Sequence, residues 1–531
     1  MQQRWYLSID LGTGGTKAAA VATNGRVLAS AFRSIDTLFT DDGGAEQDTD
    51  QWWSGLVSAV HELLGGINHP PDEAEAVDCG PCAGIGITGQ WGSTVPVDLD
   101  GRAVGPCLLY TDHRGAPWTK PLTGGRIAVS GYAPHKLAQW LRRAGGAPNP
   151  GGNDPTGHAQ FLAHARPEIY AQTATLIEPV DYIGMRLTGT CATTPAAMVA
   201  SWLTDNRPGA PVVYDDVLVR LARRDVPRLP EMRPTGARLG PLSDAVAVEF
   251  GSSKLLPAGT AVICGVPDLH TAAIGAGAVT DFAGHIAIST TAWVSAPVPF
   301  KKTDILRQTA SVPGLREGSY LIANNHETGG AALRWLRDSA LGERASGAID
   351  YDTITAEAAI APSGSGGVIF CPWLNGERSP VSDSNLRASF LNVSMSTTRA
   401  HLIRAVMEGV AYNALWLLEA TERFAGRPLD GLRLLGGGAI SDLWCQIHAD
   451  VIGRPIMQVV DPLNVNVRGA AWFAALHLGQ MTLDEIVGSA PPAQLFVPDP
   501  VSSALHAPLY AEFTRLAKAQ RSMYKRLNGI V

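Results

Sequence analysis

Apolar and polar positions alternate at the start of the chain. WYLSIDLG, residues 5–12, alternates apolar with small or polar side chains and ends in glycine, which predicts a β-strand feeding a tight turn. TKAAAVATNGRVLASAFRS continues as two further strands about Asn24-Gly25, a strong hairpin signal. The period then lengthens. DTDQWWSGLVSAVHELLGG has helical spacing, with Thr49 or Asp50 as its N-cap. AGIGITGQ returns as a strand, and GSTVPVDLDGRAVGPCLLYTD as a hairpin turning at Asp100-Gly101. The chain up to residue 250 then reads as mainly helical, with Gly- and Pro-rich loops.

LPAGTAVICGVPDLHTAAIGAGAV opens a second strand-rich block. It is followed by two strands about a turn in GHIAISTTAWVSAP and by the helix GGAALRWLRDSAL. GLRLLGGG reads as a strand, ISDLWCQIHADVIG as a helix, and HAPLYAEFTRLAKAQRSMYKRLNGIV as a basic terminal helix packed on the second domain. Each half thus carries a strand hairpin with threonine at its turn, DLGTGGT early and ISTTAW late. Two such hairpins facing each other across a cleft would grip a phosphate chain through backbone N–H groups.

Composition narrows the class. A chain of 531 residues exceeds a single core, so two domains are expected, 1–255 and 256–531. With 45% apolar and 17% charged residues the chain is globular rather than disordered. A net charge of −7 argues against nucleic acid as a partner. No apolar run reaches the roughly 18 residues of a membrane span, so no membrane association is expected. Met1 to Tyr6 leads straight into a strand, which gives a cytoplasmic expectation. Cys79 and Cys82 form a CGPC motif, but it precedes a strand instead of opening a helix; it reads as a turn, not a redox site.

IDLGTGGTK fails two nucleotide-binding templates. A P-loop needs a glycine before the lysine, where Thr16 precedes Lys17, and the dinucleotide fingerprint needs its third glycine where Lys17 stands. What remains is D-x-G-T-x-x-x-K on a hairpin, similar to the first phosphate motif of the actin-like ATPase superfamily. YTDHRG, ICGVPDLHTAAIGAGAV, WLNGERSP, RAVMEGVAYNA and LGGGAISDLWCQIHADVIGRP follow in that order. Together they resemble the FGGY carbohydrate kinases over nearly the whole chain.

The resemblance implies an α/β fold of two ribonuclease H-like domains with a cleft between them, and ATP and Mg²⁺ as the nucleotide and metal. It implies Asp10 as the metal residue, and Gly12, Thr13, Gly14, Lys17, Thr290 and Thr291 around the phosphates. Gly330, Arg334, Gly437, Gly438 and Asp442 would surround the adenine, although Ser441 or Asp442 would serve equally as a helix N-cap. Asp268 would be the catalytic base, with an N-cap role compatible with the same geometry. Gln90, Trp91, Gly92, Asp112, Arg114 and Asp268 would line the sugar site. A surface ion pair between Asp112 and Arg114, or a core position for Trp91, is the plain alternative.

Three places depart from the family pattern. Ser289 replaces the glycine of the second hairpin and would be strained if the turn needs positive φ. Asp442 stands where relatives often carry asparagine. Trp91-Gly92 replaces the Arg-Glu of glycerol kinases and the Met-His of xylulokinases, which argues against glycerol. The expected reaction is ATP-dependent phosphorylation of a sugar or polyol, with a ketopentose such as xylulose first. Ribulose, a tetritol or a hexulose, or a degenerate kinase acting as a sugar-binding regulator, stand as alternatives. Family members often pair, so a homodimer is also within the expectation.

Overall fold

The structure, a computed structural model, describes residues 3–68, 79–251, 253–341, 350–490 and 494–528. The opening meander forms as expected. Trp5–Gly12, Gly15–Ala22 and Val27–Ser34 are consecutive antiparallel strands. Gly25, at the second turn, has φ +83°, a conformation glycine adopts without strain. Alternation sorts the side chains of the first strand. Trp5, Leu7, Ile9 and Leu11 join Trp52 and Leu56 of the Thr49–Asn68 helix in one core. Tyr6 faces the other way, into a second core with Leu269 and Trp472. Asp10 shares the parity of Tyr6, so its carboxyl emerges on that second face. The Thr49–Asn68 helix is capped one residue earlier than expected. Asp48 Oδ1 accepts from the Asp50 N–H at 2.8 Å, so the cap is neither Thr49 nor Asp50.

Ile85–Gly89 lies parallel to the first strand, Ala261–Ile263 lies parallel beyond it, and Arg238–Pro241 closes that edge antiparallel. The second sheet repeats this order of pairings. Ala292–Ser295 is antiparallel to Ala283–Ile288, Asp430–Leu435 and Ile456–Gln458 follow parallel, and Gln494–Phe496 ends antiparallel. These are the two ribonuclease H-like halves that the family resemblance implied. The strand-rich block after residue 256 nevertheless begins inside the first sheet, because Ala261–Ile263 and Val266–Pro267 both hydrogen-bond to Ile85–Gly89.

Other expectations shift locally. The Asp100-Gly101 turn is present, with Gly101 at φ +76°. Its arms bridge each other antiparallel at Thr94–Leu108 and Val97–Ala103, and each also gains a further neighbour: Val95–Val97 pairs with Thr175–Ile177, and Cys107–Leu108 with Ala45–Gln47. The CGPC segment runs into the strand as a turn should. The Cys82 thiol donates to Gly84 O at 3.2 Å, and burial pushes its pKa up to about 12, the reverse of a redox thiol. The terminal helix is two segments, Pro500–Ala519 and Arg521–Leu527; Gly529 to Val531, included in the expected helix, lie outside the described residues. Phe513 of the first segment is fully buried against Trp373, Tyr412 and Trp416 of the second half, and Arg521 pairs with Asp383 at 2.6 Å. No helix among the described residues is long and apolar enough to cross a membrane.

One helix ties the halves together. Val465–His477 lies in sequence between two strands of the second sheet, Ile456–Gln458 and Gln494–Phe496, yet packs across the first sheet and against the Asp268–Gly275 helix. The backbones meet at glycines: a Cβ on Gly469 would sit 1.9 Å from Thr271 O, and one on Gly275 2.0 Å from Val465 O. Any larger residue would force the two helices apart.

Candidate active site

The first strand delivers Asp10 beside Lys17 and Thr88, its partners across the neighbouring strands. Val266–Pro267 pairs with Thr88 and Gly89, and the chain turns there into the Asp268–Gly275 helix. Thr88 Oγ1 and Thr271 Oγ1 are hydrogen-bonded at 2.8 Å, which pins the helix to the sheet. Asp268, the first helical residue, therefore stands close to Asp10. Asp268 has its pKa raised to about 7, first by burial and then by the Asp10 charge. Asp10 is itself raised by burial, which outweighs the lowering effect of Lys17 and of the Asn466 side chain beside it.

Two carboxyls thus share a poorly solvated floor, and Asn466 Oδ1 is buried without a partner next to Asp10. This oxygen set fits a hard divalent cation. Among the described residues no group of three His, Cys, Asp or Glu side chains converges as a full metal cage. That suits an ion carried mainly by phosphate and water.

The Thr13-Gly14 turn joins the first two strands, and a Cβ on Gly14 would meet nothing within 4 Å. No packing contact requires glycine there, so its face is open to a ligand. Lys17 is already engaged: Nζ donates to Leu463 O and Asn464 Oδ1, each at 3.1 Å. It bridges the two halves, which leaves one donor for a phosphate.

The second hairpin turns at Ser289 to Thr291 between Ala283–Ile288 and Ala292–Ser295. Ser289 is absent from the residues with positive φ, so the strain expected from its replacing glycine does not arise. The Gly329 and Gly330 N–H groups donate to Thr290 O and Ser289 O, at 2.9 and 2.6 Å. Gly330 is glycine because a Cβ there would lie 2.9 Å from Ser289 O. Arg334 is exposed on the following turn of helix. A Cβ on Gly438 would lie 2.5 Å from Ile288 Cγ2, which keeps that position glycine, whereas one on Gly437 would meet only Leu463, at 4.0 Å. Ser441 caps the Asp442–Ile452 helix through the Trp444 N–H, and Asp442 Oδ1 accepts from Gln458 Nε2 at 3.1 Å.

On the sugar side, Gln90 and Trp91 follow the Ile85–Gly89 strand, and Trp91 is half-buried against the second core. Gly92 has φ +74°, which explains its identity. Asp112 is fully buried, and its oxygens accept from the Ala45 N–H at 3.1 Å, the Arg114 N–H at 3.0 Å, Arg114 Nε at 3.1 and 3.2 Å and Arg114 Nη2 at 2.6 Å. Arg114 also pairs with Glu46 and stacks 4.4 Å from the Phe161 ring centre. The Asp112 oxygens are thus engaged by Ala45 and Arg114, and the pair is buried, not a surface one.

Three residues that carried no assigned role complete the cleft. Tyr110 lies close enough to Glu327, Arg378 and Asp268 for all three charges to act on it, and burial raises its pKa. Arg378 pairs with Glu327 at 2.7 Å. Buried Glu377 holds both in place: its Oε1 accepts from the Glu327 and Arg378 N–H groups at 3.0 and 2.9 Å, and its Oε2 accepts from Asn413 Nδ2 at 2.7 Å. WLNGERSP held the signal for Arg378 and YTDHRG begins at Tyr110, but neither motif assigned that residue a role; Glu327 was given none either.

A cleft between two ribonuclease H-like halves, with paired hairpins and a raised-pKa aspartate at its floor, is the framework of a carbohydrate kinase. Sequence comparison agrees. The model of the FGGY family of carbohydrate kinases matches its N-terminal domain to residues 5–275 and its C-terminal domain to residues 289–478. The chain belongs to the FGGY family of carbohydrate kinases. It is 24% identical to a gluconokinase of Bacillus subtilis, covering 91% of this chain and 90% of the relative. It is 25% identical to a xylulose kinase of Staphylococcus epidermidis, covering 90% and 89%. A gluconate kinase from Lactobacillus acidophilus superposes with a TM-score of 0.83 over 99% of this chain and all of that one, at 22% identity.

Proposed function

We propose that this carbohydrate kinase transfers the γ-phosphoryl group of ATP to a neutral ketopentose, xylulose first, with Asp268 as the base. The observation that supports the transfer chemistry is that buried Asp268, at the helix start beside the first sheet, lies near enough to Asp10 for the Asp10 charge to act on it. The sugar hydroxyl would lie against Asp268, with Gln90, Trp91, Gly92 and Tyr110 forming the wall and Asp112 and Arg114 bracing it. The phosphates would lie between Gly12–Gly14 and Thr290-Thr291, with Gly330, Arg334, Gly437, Gly438 and Asp442 toward the adenine. As the phosphoryl group leaves ATP, the attacking hydroxyl gives its proton to the Asp268 carboxylate late in the transfer. Mg²⁺ would be held by Asp10, with Asn466 beside it, and would neutralise phosphate charge when bound. Closure of the halves would keep water from accepting the phosphoryl group.

The cations favour a neutral sugar over a sugar acid. Lys17 is engaged with Leu463 and Asn464, Arg114 with Asp112 and Glu46, and Arg378 with Glu327. A carboxylate substrate would have to share one of these cations with the group it already holds. The test is kcat/KM for xylulose, ribulose, gluconate and glycerol under one set of conditions. Xylulose or ribulose is expected to lead gluconate by about tenfold or more, and glycerol to fail, since no charged pair follows Gln90. A preference for gluconate would overturn the neutral-sugar reading.

The raised Asp268 pKa sets the pH dependence. The base works as the carboxylate, so kcat/KM should rise with pH, reach half its plateau near pH 7, and fall about tenfold per unit below that. A profile flat from pH 5 to 8 would remove Asp268 from the base role.

A further inference from the structure

Gln47 lies where the phosphate side and the sugar side of the first half meet. It ends the short strand Ala45–Gln47, is 1% exposed, and uses every hydrogen-bonding position of its carboxamide. Nε2 donates to Thr13 O at 2.8 Å and Thr37 Oγ1 at 2.9 Å, while Oε1 accepts from Gln90 Nε2 at 3.1 Å and Trp52 Nε1 at 3.2 Å. The orientation is forced. A backbone carbonyl only accepts and an indole N–H only donates. Nε2 must therefore face Thr13, Oε1 must face Trp52, and Gln90 must present its NH₂ group to Gln47. Gln90 Oε1 consequently points away from Gln47, and it is buried without a partner, an acceptor with no donor assigned to it.

The Thr13 contact has a second consequence. In a trans peptide the carbonyl of one residue and the N–H of the next point in opposite directions. Anchoring Thr13 O into the core aims the Gly14 N–H outward, and Gly14 is the residue with open space around it.

We propose that Gln47 is a positioning residue that sets two things at once. It aims the Gly14 N–H into the cleft, and it fixes which face of the Gln90 amide is turned toward the sugar side. The inference rests on the reading of the first hairpin as phosphate-facing and of Gln90 as sugar-facing.

Two isosteric or near-isosteric changes separate the arms. Gln47→Glu keeps the acceptor toward Gln90 and Trp52 but replaces the donor toward Thr13 with an oxygen. Titration with the β,γ-imido analogue of ATP and Mg²⁺ should then show about tenfold or more weaker binding. The KM of the sugar that the wild type turns over fastest should change less than about threefold. Gln90→Leu should give the opposite split. Gln47→Leu should weaken both, and adding it to Gln90→Leu should not raise the sugar KM further, because Gln47 reaches the sugar only through Gln90. Thermal midpoints confirm that each variant is folded. Unchanged nucleotide binding in a folded Gln47→Glu variant, equal losses on both sides, or additive sugar effects in the double variant would overturn the proposal. Failure of the wild type itself to bind the nucleotide analogue would instead remove the phosphate reading of the hairpin.

Discussion

Asp268→Asn should lower kcat by roughly 10²–10⁴-fold while leaving the sugar KM within about threefold, measured as ADP release under saturating ATP. The amide keeps the shape of the carboxyl and the helix start but cannot take the hydroxyl proton. The same change should affect stability in the opposite sense at neutral pH. Asp268 has a folded-state pKa raised to about 7 from 3.8, so the folded state holds its proton more tightly than the unfolded chain. Its stabilising contribution is full below pH 3.8 and is lost as the pH rises through 7. Asparagine removes that loss. The variant should therefore gain thermal stability relative to the wild type at pH 8 and show no such gain at pH 4. A site that gives up stability at working pH to keep a carboxylate desolvated is what a base requires. Full activity in Asp268→Asn would place the base elsewhere.

The second large effect is structural. Arg114→Leu leaves Asp112, fully buried, and Glu46 without their cation. Breaking a buried pair from one side typically costs about 3–5 kcal/mol, against roughly 0–1 for a surface pair. Urea unfolding of Arg114→Leu should therefore show a loss at the larger scale. Glu46→Gln, at the more exposed end of the network, should cost less. The Asp112→Asn, Arg114→Leu double variant should recover part of the loss, because it leaves no unpaired charge on the Asp112 side. A loss under about 1 kcal/mol for Arg114→Leu would make the network a surface feature after all.

The parts of the fold legible in the sequence are those written in local period. The opening meander, the Ile85–Gly89 strand, the second hairpin and the helix after Ser441 all follow from alternation, Asn24-Gly25 and capping residues. The 27-residue Arg399–Ala425 helix contains the motif RAVMEGVAYNA, yet its apolar residues on most faces gave no stripe to read, because it is buried at the centre of the second half. The strands Ala261–Ile263 and Val266–Pro267 were legible as strands but not as members of the first sheet, since sheet membership is fixed by partners far away in sequence.

The site divides the same way. Asp10, Asp268 and the two hairpins were marked by motif. Asp112 was marked too, but a motif cannot say that Ala45 and Arg114 occupy its oxygens. Gln47, Tyr110 and Glu327 were given no role, Tyr110 even within YTDHRG, because their roles exist only where distant segments meet. Ser289 shows the reverse: the sequence raised a strain that the backbone does not contain.

The most direct test follows the phosphoryl group itself. The wild-type protein is incubated with ATP, Mg²⁺ and xylulose, and the sugar is analysed by mass spectrometry while ADP is counted. The account predicts a sugar monophosphate formed in step with ADP, and none with Asp268→Asn. ADP released without sugar phosphate, or sugar phosphate formed equally well by Asp268→Asn, would contradict it.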